Sequence, residues 1–338
     1  MKLLVCGGAG FIGSNFVRLR VRDHGDEVVV LDKLTYAGRR ENLQDVDHEF
    51  IHGAIEDPDA AARAMEGVDA VVNFAAETHV DRSIAEPDAF VRTHTQGTYV
   101  LLEEARKRSL RFVQVSTDEV YGSIESGSFT EESPLAPSSP YSATKAGADL
   151  LVWSYFHTYG METMICRGSN NYGPYQYPEK LIPLMVLNAL HGDKLPVYGD
   201  GKQVRNWLYV EDFGRGIGHV LEHGGAGEVY NVGGPDETFN LDVVQQIIAQ
   251  TGASTDLIEY VKDRPGHDRR YSLASEKIRA LGWEAQVNFA EGLPKTVSWY
   301  QENTWWWEPI RSGDYREYYE RQYGTSLAAA PGTTGEDA

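Results

Sequence analysis

The sequence is poor in cysteine and contains no long apolar run. Its two cysteines, Cys6 and Cys166, each lie inside an apolar, strand-like stretch, which favours two buried thiols over a disulfide. No stretch approaches the roughly 18 apolar residues that a membrane span requires. Glycines interrupt the apolar start of the chain too early for a signal peptide. We therefore expect a cytoplasmic protein with no membrane partner.

Positive charge is also scarce. Lys and Arg number 31 against 50 Asp and Glu, which gives a formal net charge of −19. A surface of that sign repels nucleic acid at long range, so we exclude a nucleic-acid partner. Any phosphate that the protein binds must be held by local basic residues and by backbone amides. The pattern predicts no metal site.

The first half of the chain alternates short apolar runs with longer periodic segments. Strands are predicted at 2–7, 27–32, 48–53, 69–76, 111–117 and 161–168, and helices at 11–22, 58–66, 86–108 and 140–159. This alternation predicts parallel strands joined by right-handed crossovers. Nearly continuous apolar strands are typical of a sheet that helices cover on both faces. We predict an α/β fold with a Rossmann-type, doubly wound parallel sheet.

After about residue 170 the elements become shorter and mixed. Three further helices are predicted, at 178–192, 210–223 and 240–252. We assign 1–170 to a Rossmann domain, with segments that return to it near 205–232, and 171–324 mainly to a smaller, interleaved substrate-binding domain. Residues 325–338 are small and polar and predict a disordered tail.

A glycine-rich turn joins the first predicted strand to the first helix. Gly7, Gly10 and Gly13 allow a tight turn and let amides at a helix N-terminus approach a pyrophosphate. Asp32 ends the second strand, where a carboxylate accepts hydrogen bonds from both ribose hydroxyls and repels a 2′-phosphate. The pattern predicts NAD in preference to NADP. A plain turn and a solvated loop carboxylate are the simpler alternatives.

Tyr141 and Lys145 lie four residues apart, on one face of a predicted helix. An ammonium group near a phenol favours the phenolate and lowers a tyrosine pKa that starts near 10. Such a tyrosine can take the proton from a sugar hydroxyl while a hydride leaves the same carbon. Thr117, at a strand end, could supply a third hydroxyl. An ordinary amphipathic pair also explains the spacing.

Two carboxylates, Asp118 and Glu119, stand side by side where a buried strand ends. Adjacent strand residues point to opposite faces, so both can reach one ligand only where the strand gives way to a loop. That is the sheet edge at which such folds bind ligands. Unlike environments can keep one carboxyl protonated and the other ionised. A helix N-cap followed by acidic first-turn residues is the competing explanation.

Together these motifs resemble the extended short-chain dehydrogenase/reductase superfamily. Longer stretches resemble one family within it, the dTDP-glucose 4,6-dehydratases: AAETHVDRSI 75–84, STDEVYGS 116–123, SNNYGPYQYPEKLIPL 169–184, PVYGDGKQVRNWLYVED 196–212 and DRPGHDRRY 263–271. That family has a Rossmann-type domain and a smaller nucleotide-sugar domain, and it is usually dimeric. The resemblance implies NAD as cofactor, dTDP-glucose as substrate and a homodimer.

The resemblance also implies catalytic roles. Tyr141, with Lys145, is the base for the C4 hydroxyl, and Thr117 hydrogen-bonds the C4 oxygen. After C4 is oxidised, Glu119 takes the C5 proton while protonated Asp118 donates to the departing C6 oxygen. Hydride then returns to C6 and Glu119 reprotonates C5, so that no external reductant is consumed.

Further positions match contacts of the family. For the cofactor they are Gly7, Gly10, Phe11, Ile12, Gly13, Asp32, Lys33, Leu34, Thr35, Ala54, Ile55, Ala75, Ala76, Glu77, Thr93, Tyr141, Lys145 and Asn171. For the nucleotide sugar they are Thr78, Thr117, Asn170, Lys180, Leu181, Pro196, Tyr198, Arg205, Asn231, Arg264 and His267. Arg205 and Arg264 can fork onto phosphate oxygens.

The chain departs from the family pattern at several positions. Ala54 replaces an aspartate that contacts the adenine amine, at a cost of about 0.5–1.5 kcal/mol. His94 stands where Asn is usual, Phe213 where His is common and Ala274 where Asp is common. None of the proposed catalytic residues is altered, so we expect activity with weaker NAD retention.

Two other functions fit part of the pattern. A nucleotide-sugar 4-epimerase shares the fold, NAD and the tyrosine and lysine pair, but it has no elimination step and no need for Asp118 and Glu119. A non-catalytic NAD-binding protein could keep the glycine turn and lose Tyr141 or Lys145, both of which are present.

Overall fold

The computed structural model describes residues 1–263 and 267–311. The strands there are β1 (Lys2–Cys6), β2 (Glu27–Asp32), β3 (Glu49–His52), β4 (Ala70–Asn73), β5 (Arg111–Thr117), β6 (Thr163–Gly168), β7 (Asn170–Tyr172), β8 (Leu195–Tyr198), β9 (Val204–Tyr209), β10 (Val229–Val232), β11 (Asp236–Phe239) and β12 (Ile258–Val261). The tail predicted at 325–338 lies outside the described residues.

The α-helices of the same residues are α1 (Phe11–His24), α2 (Pro58–Ala64), α3 (Val80–Ala85), α4 (Asp88–Phe90), α5 (Thr98–Lys107), α6 (Pro140–Tyr159), α7 (Leu181–His191), α8 (Val210–His223), α9 (Asn240–Thr251), α10 (Glu276–Ala280), α11 (Phe289–Glu302) and α12 (Thr304–Arg311). A π-helical segment, Val91–Gly97, joins α4 to α5, and short 3-10 helices lie at Arg40–Leu43, Asp118–Tyr121 and Thr255–Leu257. Within the described ranges, none of the helices combines the length and the apolar character needed to cross a membrane.

The central sheet has seven parallel strands in the order β10-β6-β5-β4-β1-β2-β3. From β1 the chain adds β2 and β3 on one side and then crosses to the other side with β4. Ligands of such sheets bind at the carboxyl ends of the strands beside this switch in winding direction. The predicted doubly wound α/β fold is confirmed.

Apolar residues fill β1 because helices cover both faces of the sheet. Leu3 and Val5 belong to the core on the side of α1 and α8, whereas Leu4 and Cys6 belong to the core on the side of α2 and α5. Successive side chains of a strand point to opposite faces, so a strand covered on both faces is apolar through most of its length. Cys6 and Cys166 are both buried and free, as predicted.

A second core lies in the smaller lobe. β11, β9 and β7 form a three-stranded sheet, β12 pairs with β8, and α7, α9 and α11 pack together there. Leu184, Trp207, Ile247, Leu293 and Trp306 are buried in this core. The returning strand β10 nevertheless pairs with β6 in the large sheet. The domain limits drawn from the sequence stay a prediction.

Candidate active site

The structure brings most of the predicted site residues to a cleft at the carboxyl ends of the central strands. Those that line it are Gly7, Gly10, Phe11, Ile12, Gly13, Asp32, Lys33, Thr35, Ile55, Ala75, Ala76, Thr78, Thr93, Thr117, Asp118, Glu119, Tyr141, Lys145, Asn170, Asn171 and Lys180. Those that lie outside this lining are Leu34, Ala54, Glu77, Leu181, Pro196, Tyr198, Arg205, Asn231 and His267. Arg264 is outside the described residues.

The glycine turn is too tight for side chains. Gly7 has a φ of +73°, and a Cβ there would lie 2.6 Å from the Ala75 nitrogen. A Cβ on Gly13 would lie 2.3 Å from the Gly7 carbonyl oxygen. α1 begins at Phe11 directly after this turn, and the first amides of a helix have no acceptor within it. The turn therefore presents free donors to an anion in the cleft.

Asp32 is held rigidly at the end of β2. One carboxylate oxygen accepts from the Ala9 N–H at 2.9 Å and the other from the Leu34 N–H at 2.8 Å. Burial raises the pKa of Asp32, and the two backbone amides partly oppose this shift. Each oxygen keeps a lone pair for a further donor. Leu34 thus supports the site through its backbone and does not line the cleft.

α6 carries Tyr141 and Lys145 into the cleft from a well-defined start. Ser139 accepts from the Ser142 N–H at 3.2 Å, and the Ser142 hydroxyl accepts from the Ser139 N–H at 3.1 Å. This reciprocal cap fixes the first turn of the helix. One turn later, the Lys145 ammonium donates to the Val115 carbonyl at 2.6 Å. The helix is thereby tied to strand β5.

The charges around this pair differ from the sequence expectation. Burial lowers the pKa of Lys145 to about 8, so the ammonium form still dominates at neutral pH. The pKa of Tyr141 is raised, chiefly by burial and by the Glu119 carboxylate, although a hydrogen bond with Thr117 lowers it. Burial and neighbouring acids thus raise the pKa of Tyr141, where the spacing from Lys145 predicted a lowered one. Tyrosine activation therefore needs added positive charge or fewer negative charges in the cleft.

A 3-10 helix explains how consecutive acids reach one cleft. β5 ends at Thr117, and Asp118–Tyr121 turn away from the strand. The Thr117 hydroxyl oxygen accepts from the Glu119 N–H at 3.3 Å, and the hydroxyl donates to Asp118 Oδ1 at 3.2 Å. The helix cap and the paired acids are therefore one structure, although the sequence presented them as alternatives.

Asp118 is the more unusual acid. It is 2% exposed, and its Oδ2 is buried with no hydrogen-bond partner among the described residues. Burial and then the Glu119 charge raise its pKa to about 7, against the effect of Arg205. A substantial fraction of Asp118 therefore keeps its proton at neutral pH, which a proton donor needs.

Two residues that were predicted to contact the substrate form hydrogen bonds with other parts of the fold. Asn231 in β10 accepts from the Tyr121 hydroxyl at 2.8 Å and donates to the Phe129 carbonyl at 3.1 Å. Arg205 in β9 is buried, donates to two backbone carbonyls and lies over the Tyr271 ring. Arg205 influences Asp118 by its charge without lining the cleft.

The other outlying residues lie in the smaller lobe or beside lining residues. The ring of Tyr198 in β8 meets the His267 ring edge-on at 6.0 Å, and His267 pairs with Asp263 at 2.6 Å. Leu181 begins α7 and Pro196 lies in β8. Ala54 stands between Gly53 and Ile55, both of which line the cleft, and Glu77 follows Ala76.

Sequence reasoning missed part of the lining: Leu31, Ala37, Gly38, Gly53, Phe74, Val115, Ser116, Gly168, Ser169, Gln176, Tyr177 and Phe213. Most adjoin predicted residues at a strand end, and that adjacency was the available signal. Gln176 donates to the Asn171 carbonyl at 2.9 Å, while its side-chain oxygen is buried and has no partner among the described residues. Phe213, noted only as a departure, packs its ring against Gly168.

Known proteins are similar to this chain in sequence. The sequence profile described as GDP-mannose 4,6 dehydratase matches residues 4–296. The chain belongs to this family. The resemblance to dTDP-glucose 4,6-dehydratases is confirmed by two relatives that carry that name. The one from Streptomyces niveus is 52% identical and covers 93% of this chain and 97% of its own. The one from Escherichia coli (strain K12) is 50% identical and covers 96% of this chain and 99% of its own.

Solved structures of a dehydratase and of an epimerase have a fold similar to that of this chain. A dTDP-glucose 4,6-dehydratase from Streptomyces venezuelae, crystallised with NAD and dTDP, has a TM-score of 0.90 and 54% identity, and covers 92% of this chain and 100% of its own. A UDP-glucose 4-epimerase from Thermus thermophilus, in complex with NAD, has a TM-score of 0.84 and 30% identity. It covers 90% of this chain and 100% of its own. The epimerase shares the fold at lower identity.

Proposed function

We propose that this 4,6-dehydratase family member converts dTDP-glucose to dTDP-4-keto-6-deoxyglucose and water. The observation that carries the proposal is the position of Asp118 and Glu119 in the same cleft as Tyr141 and Lys145. An oxidising tyrosine alone serves an epimerase as well. The loss of water needs a partly protonated carboxyl, which donates to the leaving oxygen, and a second acid, which takes the C5 proton. The relatives named dTDP-glucose 4,6-dehydratase support the same substrate.

The residues of the glycine turn fit NAD. Gly7 and Gly13 allow a turn so tight that a side chain on either would strike the backbone of the turn or of Ala75, and α1 begins directly after this turn in the lining of the cleft. The first amides of α1 are therefore the proposed donors to a pyrophosphate. Asp32 retains acceptor capacity for the two hydroxyls of the adenosine ribose. NAD, when bound, supplies the hydride acceptor for C4 and the hydride donor for C6.

Tyr141, Lys145 and Thr117 act on C4. Tyr141 takes the proton of the C4 hydroxyl as the C4–H bond breaks, and Lys145, held on the Val115 carbonyl, keeps an ammonium charge near the phenolate. Thr117 lines the same cleft as Tyr141, and its hydroxyl is the proposed hydrogen-bond partner of the C4 oxygen. The new C4 ketone makes the C5 proton acidic.

Asp118 and Glu119 act on C5 and C6. Glu119 removes the C5 proton, and Asp118 donates a proton to the C6 oxygen, which leaves as water. Glu119 then returns its proton to C5 once C6 has been reduced. The hydride is recycled within the cleft, so the reaction needs no added reductant. Lys180, which lines the cleft, and Arg264 are the proposed partners of the nucleotide diphosphate. Arg205 could join them only if it left the Val204 and Asp268 carbonyls.

We also propose that two copies pair through α5 and α6. Tyr99 on α5 and Leu150, Trp153 and Tyr159 on α6 are large apolar side chains that are 47–57% exposed. A patch of this kind on adjacent helices is typical of an interface, and two copies related by a two-fold axis would cover it with four helices. The two free thiols support the proposed cytoplasmic location.

The test uses dTDP-glucose that carries deuterium at C4, with no added reductant. The expected product is lighter by one water and carries the deuterium at C6, as read by mass spectrometry and NMR. Formation of dTDP-galactose with deuterium still at C4 would show an epimerase. Unchanged dTDP-glucose, with NAD bound to the protein, would favour a non-catalytic NAD-binding role.

The Glu119→Gln variant isolates the elimination step. It should still oxidise C4, which is visible as absorbance of reduced NAD, but it should lose water about 10²–10⁴-fold more slowly because the base is gone. Glu125→Gln, in the exposed loop that follows, is the matched control and should behave as the unaltered chain. Wild-type dehydration by Glu119→Gln would contradict the assigned role.

A further inference from the structure

His94 lies beside the catalytic residues without lining the cleft. It belongs to the π-helical segment Val91–Gly97 and is 1% exposed. Its Nδ1 lies 2.8 Å from the Thr144 hydroxyl oxygen on α6, and its Nε2 lies 3.1 Å from the Glu77 nitrogen in the loop after β4. One imidazole ring thus joins the helix of Tyr141 to the loop that carries Ala75 and Ala76.

The hydrogen-bond partners define the tautomer of this ring. The Thr144 hydroxyl has one proton, and both backbone carbonyls in its reach, those of Pro140 and Tyr141, lie 2.9 Å away. When this proton is donated to one of those carbonyls, the hydroxyl oxygen accepts from His94 Nδ1–H. Nε2 lies 3.1 Å from the Glu77 nitrogen and 3.0 Å from the Glu77 carbonyl oxygen, and only an unprotonated Nε2 gives the Glu77 N–H its acceptor. A neutral imidazole with its proton on Nδ1 therefore satisfies both partners.

Nearby charges favour the same state. Burial, the Lys145 ammonium on α6 and the Lys33 ammonium after β2 hold the pKa of His94 well below its usual range, although the Glu77 carbonyl opposes them. The Glu77 carboxylate lies 3.3 Å from Lys33 and offsets part of that charge. A second ring proton would also remove the acceptor of the Glu77 N–H.

The ring also contacts the catalytic tyrosine directly. The His94 and Tyr141 rings meet edge to face, with centroids 5.7 Å apart, and Phe90 packs against both. Thr144 follows Tyr141 by one helical turn. A shift of His94 would therefore move Tyr141 both through its ring and through its helix.

We propose that His94 is a positioning residue, whose neutral ring fixes Tyr141 relative to the Ala75–Glu77 loop of the cofactor cleft. The inference rests on the proposed function, in which Tyr141 is the base for C4. His94 touches none of the reacting atoms. Its hydrogen bonds should therefore matter for C4 oxidation and for NAD binding more than for the affinity of the sugar nucleotide.

Three variants separate hydrogen bonding from packing. His94→Phe keeps a ring against Tyr141 but removes both hydrogen bonds, and it should lower kcat about tenfold or more with little change in KM. It should also weaken NAD binding severalfold, as measured by titration of the purified chain. His94→Asn and His94→Gln retain a donor and an acceptor and should recover kcat to within about threefold. His223→Gln, at the exposed end of α8, is the control.

Nitrogen NMR of a histidine-labelled chain tests the tautomer without turnover. The signal absent from His94→Gln belongs to His94, and it should show a neutral ring with the proton on Nδ1 even below a pH of about 6.5, where an ordinary histidine is mostly protonated. An imidazolium, or a proton on Nε2, would overturn the proposal. So would unchanged kcat and NAD affinity in His94→Phe, or equal losses in His94→Phe and both amide variants. Failure of the unaltered chain to dehydrate dTDP-glucose would refute the proposed function alone, because the NAD titration and the NMR signal need no turnover.

Discussion

The raised pKa of Asp118 should make the free energy of unfolding fall as the pH rises. In the unfolded chain this carboxyl ionises near 3.8, whereas burial raises its pKa in the fold to about 7. Between these values unfolding releases a proton, so rising pH increasingly favours the unfolded chain. The difference of about three units corresponds to about 4 kcal/mol, of which about 2–3 kcal/mol accrues between pH 5 and pH 8. The cost is fully present above pH 7 and is absent below pH 4.

The Asp118→Asn variant removes this term. The introduced amide is still a buried polar group, and it lowers the free energy of unfolding by about 1–3 kcal/mol at every pH. The informative quantity is therefore the change of the free energy of unfolding with pH. Relative to the unaltered chain, the variant should gain about 2–3 kcal/mol of unfolding free energy from pH 5 to pH 8. Its dehydration rate should fall about 10²–10⁴-fold.

Urea unfolding at several pH values measures the first quantity, and the product assay measures the second. Asp47→Asn, an exposed acid on the surface, is the matched control and should show no such gain. A stability difference that stays flat between pH 5 and pH 8 would mean that Asp118 is already ionised in the fold at pH 5. The reasoning that makes it the proton donor would then fail.

Three further variants test separate parts of the site. Ala54→Asp should restore an adenine contact and tighten NAD binding about twofold to tenfold in an equilibrium titration, and unchanged affinity would refute this contact. Gly13→Ala places a methyl group 2.3 Å from the Gly7 carbonyl and should abolish NAD binding, whereas Gly147→Ala, 3.7 Å from its nearest neighbour, should bind normally. Leu150→Glu should yield monomers in sedimentation, and a persistent dimer would place the interface elsewhere.

The sequence predicted the strands best where apolar runs ended in a polar residue. β2 and β5 coincide with the predicted limits, because Asp32 and Thr117 end buried runs. β4 ends at Asn73, three residues before the predicted limit. Its apolar run continues into Phe74, Ala75 and Ala76, which leave the sheet and line the cleft. A run of apolar residues does not distinguish a strand from a buried loop.

The electrostatics of the site were not accessible from local spacing. Lys145 alone suggested a lowered pKa for Tyr141, but the acid that raises it most, Glu119, lies in the 3-10 helix after β5, 22 residues before Tyr141 in the chain. The hydrogen bonds of His94 could not be predicted from local spacing either, because its partners lie 17 and 50 residues away in the chain. Such contacts depend on how elements pack, and a sequence pattern reports each element separately.

The 3-10 helix after β5 separates the choice of reaction from the integrity of the fold. It is closed by the Thr117 cap and by the Gly122 N–H, which donates to the Glu119 carbonyl at 3.3 Å. Neither bond uses the carboxyl group of Asp118 or Glu119. Exchanging these two side chains should therefore leave the backbone of the 3-10 helix and the cofactor cleft in place, although it changes the charges that raise the pKa of Tyr141. One fold can thus host related sugar chemistries, with the outcome set by two replaceable positions.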